Sequence, residues 1–302
     1  MTNQPADPRG LAVWQREFLQ RERLPEAYMA AANTYFDVLA QVLAAHASAH
    51  PGVFVLGVNG SQGSGKSTLC SYLGLALRHS HGLNVVSMSL DDFYRTQDER
   101  CRLAKEVHPL LATRGVPGTH DVDLLKQTLD SLEGTEGEVW VPRFDKARDD
   151  RCDRSRWTRI CCPVDLVILE GWCLGARPQE LSDLETPCNE LERIEDEDGR
   201  WRRFVNQALA AEFAPLYAHI DFWVMLQAPG FEHVLRWRSE QEAKLRLSAS
   251  GNSAGIMTEE QLERFVAHYE RLTNSCLQNL PAEVDVLFRL DPERRIVGTR
   301  GI

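Results

Sequence analysis

Several features are missing from this 302-residue sequence, and each absence excludes a class of protein. The eight cysteines form no CxxC pair and no Cys/His spacing of a zinc site, so they are interpreted as reduced thiols that fill the core. No run of about 20 predominantly apolar residues occurs, so no transmembrane helix is predicted. The first residues are polar and form no basic-then-apolar leader. The expected location is therefore the cytoplasm, without a membrane partner.

Basic residues are fewer than acidic residues. Lys and Arg number 34 against 44 Asp and Glu, which gives a formal net charge of −10. Because nucleic-acid backbones reward clustered cations, no nucleic-acid partner is expected. Nine acidic residues and one basic residue lie between Glu180 and Asp198, in a segment with little apolar periodicity. Residues 179–200 are therefore predicted to form a solvated insertion, while the nearly neutral remainder can still contain a basic pocket.

The sequence VFVLGVNGSQGSGKSTLC, residues 53–70, has the order of a phosphate-binding loop. A β-type apolar run leads into a glycine-rich segment, and helix-permissive residues follow. Glycines allow successive backbone N–H groups to turn toward an anion, and the helix start adds the positive end of its dipole. In such a loop the lysine meets the β- and γ-phosphates and the serine hydroxyl reaches Mg²⁺. The predicted nucleotide-binding residues are Gly60, Ser61, Gln62, Gly63, Ser64, Gly65, Lys66, Ser67 and Thr68.

Acidic residues follow two further strand-like runs. Asp91 and Asp92 come at the end of the first run, and Glu170 comes at the end of the second. Ligands of open α/β sheets bind at the carboxyl ends of the strands, so a carboxylate there is expected to order Mg²⁺ together with Ser67. The alternative is that Asp91 and Asp92 only cap the next helix.

Polar residues on two loops are candidates for binding an acceptor. The segment TRGVPGTHD carries Arg114 and His120 on a backbone stiffened by its Gly and Pro residues. Arg143 and Lys146 follow a short predicted strand. Because Arg can grip a carboxylate through two hydrogen bonds, these cations suit an anionic acceptor. Two alternatives are open: the end of the first loop caps the next helix, and the second is a solvated charged loop.

A late helix is predicted to supply a lid. It carries four cations, Arg236, Arg238, Lys244 and Arg246. Cations above the triphosphate would stabilise the charge that spreads onto the transferred phosphoryl group. The alternative is surface ion pairing, such as Arg238 with Glu242 at i,i+4.

The order of predicted elements indicates the fold class. Strands near residues 53, 84, 164, 222 and 285 alternate with helical stretches. This order predicts an α/β fold of the P-loop NTPase type, with a parallel sheet of about five core strands, helices on both faces and a lid region. Residues 1–50, which include a helix with an apolar face, are expected to pack on the domain of residues 51–302.

The motifs, taken in order, resemble those of a known family. They are the phosphate loop, SLDDFYRT, RGVPGTHD, VPRFDKARDDR and LEGW. Together they resemble P-loop small-molecule kinases of the phosphoribulokinase, uridine kinase and pantothenate kinase group. Three later blocks make the chain most similar to plant-type D-glycerate 3-kinases: VNQALAAEFAPLY, WRSEQE and AGIMTEEQLERFVAHYERL. The resemblance covers roughly residues 50–290, and the acidic segment departs from the family pattern.

The resemblance implies an ATP- and Mg²⁺-dependent kinase that phosphorylates a hydroxyl group of a small anionic molecule, D-glycerate at its 3-position. It implies that Asp91 accepts the hydroxyl proton and touches the metal. Glu170 would be the second acid of the metal site, and Arg238 the main lid cation. The residues implied to face the acceptor are Asp92, Tyr94, Arg114, His120, Arg143 and Lys146.

Two other functions remain open from the sequence. A kinase for a nucleoside or a pantothenate-like alcohol would use aromatic stacking, for which Phe93, Tyr94 and Phe144 are available. A nucleotide-dependent switch would use ATP to order loops for a partner.

Overall fold

The computed structural model describes residues 10–248 and 258–302 and is built around a six-stranded sheet. In chain order the strands are β1 (Phe54–Gly60), β2 (Val85–Ser89), β3 (Glu138–Val141), β4 (Phe144–Asp145), β5 (Asp150–Arg151), β6 (Thr158–Cys161), β7 (Leu166–Gly171), β8 (Phe222–Gln227), β9 (Val286–Leu290) and β10 (Ile296–Arg300). The large sheet has the order β10-β9-β8-β1-β7-β2. Strand β3 pairs with β6, and β4 pairs with β5, in two small antiparallel ribbons.

Five strands of the large sheet are parallel and one is not. Strand β1 pairs in parallel with β7 and β8, β2 pairs with β7, and β9 pairs with β8. These strands confirm the predicted parallel sheet. The antiparallel edge strand β10 was not predicted, because its five residues are mostly exposed and give little apolar pattern. Glu170 of β7 lies between Val58 of β1 and Ser89 of β2, so the segments that follow these strands emerge side by side.

Helices surround the sheet. They are α1 (Val13–Glu22), α2 (Tyr28–Ala31), α3 (Asp37–Ala49), α4 (Lys66–His81), α5 (Gln97–Glu106), α6 (Val122–Leu132), α7 (Glu190–Glu195), α8 (Arg200–Ala208), α9 (Ala214–Leu216), α10 (Phe231–Ser248), α11 (Glu259–Ala267) and α12 (Glu270–Glu283). Single π-helical turns, Ala32–Phe36 and Leu209–Phe213, precede α3 and α9, and short 3₁₀ turns include Leu90–Phe93, Pro109–Ala112 and Leu181–Leu184. Within the described residues, none of these helices combines the length and apolarity that crossing a bilayer requires.

The N-terminal helices belong to the core of one face of the sheet. Phe18 of α1 and Leu39 and Leu43 of α3 are fully buried in the same cluster as Leu56 of β1 and Val224 of β8. This position agrees with the expected cover over the sheet, but α1 itself was not predicted. A second cluster on the opposite face packs α6, α8 and α12 against β1, β7 and β8.

Seven of the nine acidic residues in the acidic segment are exposed, but two are buried. Glu192 and Asp196 are 1% and 0% exposed. Glu192 pairs with Arg271 of α12 at 2.5 Å, and Asp196 pairs with Arg202 of α8 at 3.0 Å. Buried carboxylates require such partners, because removal from water is costly for an unpaired charge. The composition of the segment alone did not reveal these partners, which lie on other helices.

Candidate active site

The loop between β1 and α4 has the geometry of a phosphate cradle. Gly63 and Gly65 have φ angles of 77° and 93°, in the left-handed region that glycine favours. A Cβ atom on Gly63 would lie 2.6 Å from the Cβ of Trp237. Helix α4 begins at Lys66 without a side-chain cap, so the N–H groups of its first turn are suited to an anion. Arg294, in the turn between β9 and β10, donates a hydrogen bond to the Gly63 carbonyl oxygen at 2.9 Å.

Glu170 lies directly beside this helix start. The Ser67 hydroxyl donates to Oε1 of Glu170 at 3.2 Å, and Nζ of Lys66 lies 3.7 Å from Oε2. Oε2 is buried and has no hydrogen-bond partner within residues 10–248 and 258–302. A buried carboxylate oxygen without a donor is stabilised by a cation, and Mg²⁺ prefers carboxylate and hydroxyl oxygen ligands. These residues therefore fit a magnesium ion.

Asp91 is held by two donors at the end of β2. Its Oδ1 accepts from the Tyr94 hydroxyl at 2.9 Å, and its Oδ2 accepts from Nζ of Lys146 at 2.7 Å. Burial by itself raises the pKa of Asp91, but the charge and hydrogen bond of Lys146, the charge of Lys66 and the Tyr94 bond outweigh it and lower the pKa to about 2. Asp91 is therefore ionised at neutral pH and can accept a hydrogen bond from an incoming hydroxyl group.

A cavity of about 500 Å³ connects the phosphate loop with the acids and the acceptor candidates. The predicted residues that line it are Gln62, Gly63, Lys66, Ser67, Asp91, Tyr94, Arg114, Lys146, Glu170 and Arg238. Three further residues in its wall, Arg23, Phe265 and Tyr269, were not predicted. Five basic and two acidic side chains thus face one cavity of a chain whose net charge is −10. This local excess of positive charge suits an anionic ligand.

Arg114 reaches the cavity from a network that the sequence did not indicate. Its guanidinium pairs with Asp149 and lies 5.4 Å from the ring centroid of Phe144. Asp149 also pairs with Arg100 at 3.0 Å, and Arg100 is fully buried. The network fixes the loop of Arg114 to the loop that follows β4. No sequence signal identified Arg100 or Asp149, because isolated charges on surface-like segments are common.

Asp92 and Arg143 lie in a neighbouring groove and are not among the residues that line the cavity, so their place at the acceptor stays a prediction. Nη1 of Arg143 donates to Asp92 at 2.6 Å, while its Nε donates to Thr158 at 2.8 Å. The groove runs beside β2 and α4 and shares Ser67 and Glu170 with the cavity. Asp91 and Asp92 are consecutive in a 3₁₀ turn, so their side chains point in different directions. Through Arg143, Asp92 therefore connects the end of β2 to the β3–β6 ribbon.

His120 is buried behind Tyr94 and is not among the residues that line the cavity. Its ring stacks on Tyr94 at 4.5 Å and meets Phe213 edge-on at 5.7 Å. Neither ring nitrogen has a hydrogen-bond partner within the described part of the chain. The predicted contact of His120 with the acceptor is therefore corrected to a packing contact that supports Tyr94, and burial lowers the pKa of His120 to about 4.

We expect His120 to make folding stability dependent on pH. The pKa of His120 is about 4 in the folded protein and 6.5 for the ordinary group, which represents the unfolded chain. The contribution of the neutral imidazole to the free energy of unfolding is therefore complete above pH 6.5 and is lost as the pH falls toward 4. At pH 5 the loss is about 2 kcal/mol. Denaturant unfolding at pH 7.5 and pH 5 measures it. His120→Phe should remove this part of the pH dependence, whereas replacement of the exposed His81 by Asn should leave it unchanged. If the free energy of unfolding fell equally between pH 7.5 and pH 5 in the wild type and in His120→Phe, the assignment would be contradicted.

Arg238 of α10, the main cation of the predicted lid, lines the same cavity as Gly63 and Lys66. Its guanidinium is 5.9 Å from the ring centroid of Phe265 on α11, and both residues line the cavity. The side chains of Glu242, Lys244 and Arg246 lie outside the described residues. Thr258 caps α11 through a capping box with Gln261. Helix α11 ends at Ala267, and Tyr269 directly precedes α12, where its hydroxyl donates to the Arg114 carbonyl oxygen at 3.2 Å.

The chain is similar to known kinases over most of its length. It is 36% identical to the uncharacterized kinase mug58 of Schizosaccharomyces pombe, over 72% of this chain and 78% of that protein. The chain belongs to the P-loop kinase family. The kinase is also 31% identical to the chloroplastic D-glycerate 3-kinase of Arabidopsis thaliana, over 76% of this chain and 49% of that protein. It superposes on a D-glycerate 3-kinase from Cryptococcus neoformans with a TM-score of 0.72 and 27% identity, covering 91% of this chain and 99% of that one.

These relatives confirm the predicted resemblance and fold class of the kinase. The alignment spans about half the length of the plant enzyme. No protein-family model matches the chain. Membership of the kinase family means that the protein transfers a phosphoryl group. Which acceptor receives this group is inferred below from the residues of the cavity.

Proposed function

We propose that this kinase transfers the γ-phosphoryl group of ATP to the 3-hydroxyl group of D-glycerate. The proposal rests on the cavity in which Asp91, Arg114 and Lys146 lie opposite the start of α4. Two of the relatives carry the name D-glycerate 3-kinase, and both are similar to most of this chain. An acceptor that is small, anionic and hydroxylated matches the charges and the size of this space.

The basic side chains would bind the carboxylate of the acceptor. Arg114 presents a planar guanidinium that its contact with Asp149 and the Phe144 ring keeps in place. Such a group suits bidentate binding of a carboxylate. Lys146 is 63% exposed and therefore free to rotate from Asp91 toward an incoming anion. Its departure would leave the Asp91 carboxylate available to the acceptor hydroxyl.

The transfer step would rely on position and charge. The oxygen of the 3-hydroxyl forms a bond with the γ-phosphorus while the bond from that phosphorus to the ADP oxygen breaks, and the hydroxyl proton passes to Asp91. Lys66 and Arg238 would stabilise the charge on the transferred group. When bound, Mg²⁺ would neutralise phosphate charge, and Ser67, Glu170 and Asp91 are the residues proposed to hold it.

A nucleoside acceptor has less support. Tyr94 is covered by His120, and Phe93 is fully buried. Phe144 has the guanidinium groups of Arg100 and Arg114 at 5.8 and 5.4 Å from its centroid. The aromatic rings that the sequence offered for base stacking are therefore engaged within the protein.

The decisive test is an ADP-release assay with MgATP and single acceptors. We expect D-glycerate to stimulate ADP release strongly, with 3-phosphoglycerate identified by ³¹P NMR, and L-glycerate, uridine and pantothenate to give little or no product. A phosphorylated nucleoside or pantothenate would replace the proposed acceptor. Slow ATP hydrolysis that no metabolite changes would favour the nucleotide-dependent switch instead.

A further inference from the structure

Arg23 ends the N-terminal helix α1 in an unusual conformation. Its φ and ψ angles are 55° and 47°, and its backbone N–H donates to the Gln20 carbonyl oxygen at 3.2 Å. This left-handed position after a helix is the one where glycine is most frequent, because a Cβ atom costs free energy there. Residues with backbone strain of this kind cluster at functional sites, and Arg23 lies in the wall of the cavity.

The end of α1 is attached to the helix that carries the phosphate loop. Arg21 donates to the Ser71 hydroxyl at 2.6 Å, and that hydroxyl donates to Glu22 at 3.0 Å. Ser71 lies one helical turn beyond Ser67, which is itself in the wall of the cavity. These two hydrogen bonds attach the end of α1 to α4 one turn from Ser67, and residue 23 lies in the same cavity wall as Lys66 and Ser67.

The charge of Arg23 differs from that of the other cations in the cavity. Lys66, Lys146 and Arg114 each pair with a carboxylate, and Arg238 has partners of its own. Within residues 10–248 and 258–302, the guanidinium of Arg23 makes no hydrogen bond or ion pair, although the residue is exposed in the cavity wall. An arginine whose charge is not neutralised can bind a phosphate oxygen without first breaking an ion pair.

We propose that Arg23 is a phosphate-binding residue that contacts the polyphosphate chain of the nucleotide held by the loop of Gly60 to Ser67. The inference rests on the proposed use of ATP and does not depend on the identity of the acceptor. It also gives the N-terminal region a part in nucleotide binding in addition to its place in the core.

Arg23→Gly separates a functional role from a structural one. Glycine relieves the left-handed conformation, so we expect the thermal unfolding midpoint to stay equal to that of the wild type or to rise. Loss of the phosphate contact should raise the Kd for MgATP about tenfold, measured by calorimetric titration without any acceptor. Arg102→Met is the control for the loss of an exposed arginine: Arg102 lies on α5, outside the cavity wall, and the Kd of this variant should stay within about twofold of the wild type.

Each outcome of this titration bears on the proposal. A Kd for MgATP in Arg23→Gly within about twofold of the wild type overturns it. An unchanged Kd combined with a higher KM for the acceptor also overturns it, because Arg23 would then serve the acceptor. A wild-type protein that binds MgATP but phosphorylates no D-glycerate would refute the proposed function and leave the Arg23 result intact.

Discussion

Lys66→Ala is expected to lower kcat by about 10³-fold or more. Lys66 is the side chain of the phosphate loop that we propose to meet the β- and γ-phosphates, and its Nζ lies 3.7 Å from Oε2 of Glu170. Its removal takes away a positive charge where negative charge would develop in the proposed transition state. ADP release at saturating MgATP and acceptor measures the loss, and titration with MgATP should show weaker binding as well.

The interpretation requires that the variant remains folded. Lys66→Ala leaves Glu170 without its neighbouring ammonium group, so the thermal unfolding midpoint and the far-ultraviolet circular dichroism spectrum should be measured beside the kinetics. Lys105 on α5 is exposed and lies outside the cavity wall. Lys105→Ala should keep kcat near the wild-type value. A folded Lys66→Ala protein with kcat within tenfold of wild type would remove Lys66 from the proposed mechanism.

Asp91→Asn should reduce kcat by about 10²- to 10⁴-fold, a much larger change than that in the Kd for MgATP, because Ser67 and Glu170 remain to hold the metal ion. The substitution keeps the shape of the side chain and an oxygen that can accept from Tyr94, but it removes the negative charge and the ability to take a proton. The residue is held at the end of β2 by Tyr94 and Lys146, so the geometry of the turn should persist. Separate measurement of kcat and of MgATP binding distinguishes this effect from that of Lys66→Ala.

Asp98→Asn is the matched control for the loss of a carboxylate, because Asp98 is exposed on α5 and outside the cavity wall. It should leave kcat nearly unchanged. The neighbouring variant Asp92→Asn tests the assignment within the pair. If Asp92→Asn lost more activity than Asp91→Asn, the base would be Asp92 and the present assignment of Asp91 would be wrong.

Short-range patterns predicted much of the fold. The alternation of apolar strand-like runs with helical stretches predicts the five parallel strands, and the strand–glycine–helix order predicts the phosphate loop. Asp121, the last residue of the loop TRGVPGTHD, caps α6, which agrees with the alternative left open for the end of that loop. These features depend on residues close together in the chain, which is why a single sequence contained them.

The features that the sequence did not reveal depend on contacts between distant segments. Glu192 and Asp196 could not be distinguished from the exposed acids around them, because their partners lie on other helices. His120 was expected in the cavity because its loop is polar, but the ring is packed between Tyr94 and Phe213. The side chains of Asp91 and Asp92 point in different directions because both residues lie in a 3₁₀ turn, which the sequence did not predict. Side-chain direction and tertiary pairing were therefore the missing information.

The hydrogen bond from Arg294 to the Gly63 carbonyl oxygen joins residues 231 positions apart. During synthesis the phosphate loop leaves the ribosome long before the turn that holds it, and the neighbours of β1 in the sheet, β7 and β8, also follow much later. Contacts of such high sequence separation form late, because their loop-closure entropy must be overcome first. A nascent chain therefore acquires the complete cradle around Gly63 only after the turn between β9 and β10 has been synthesised.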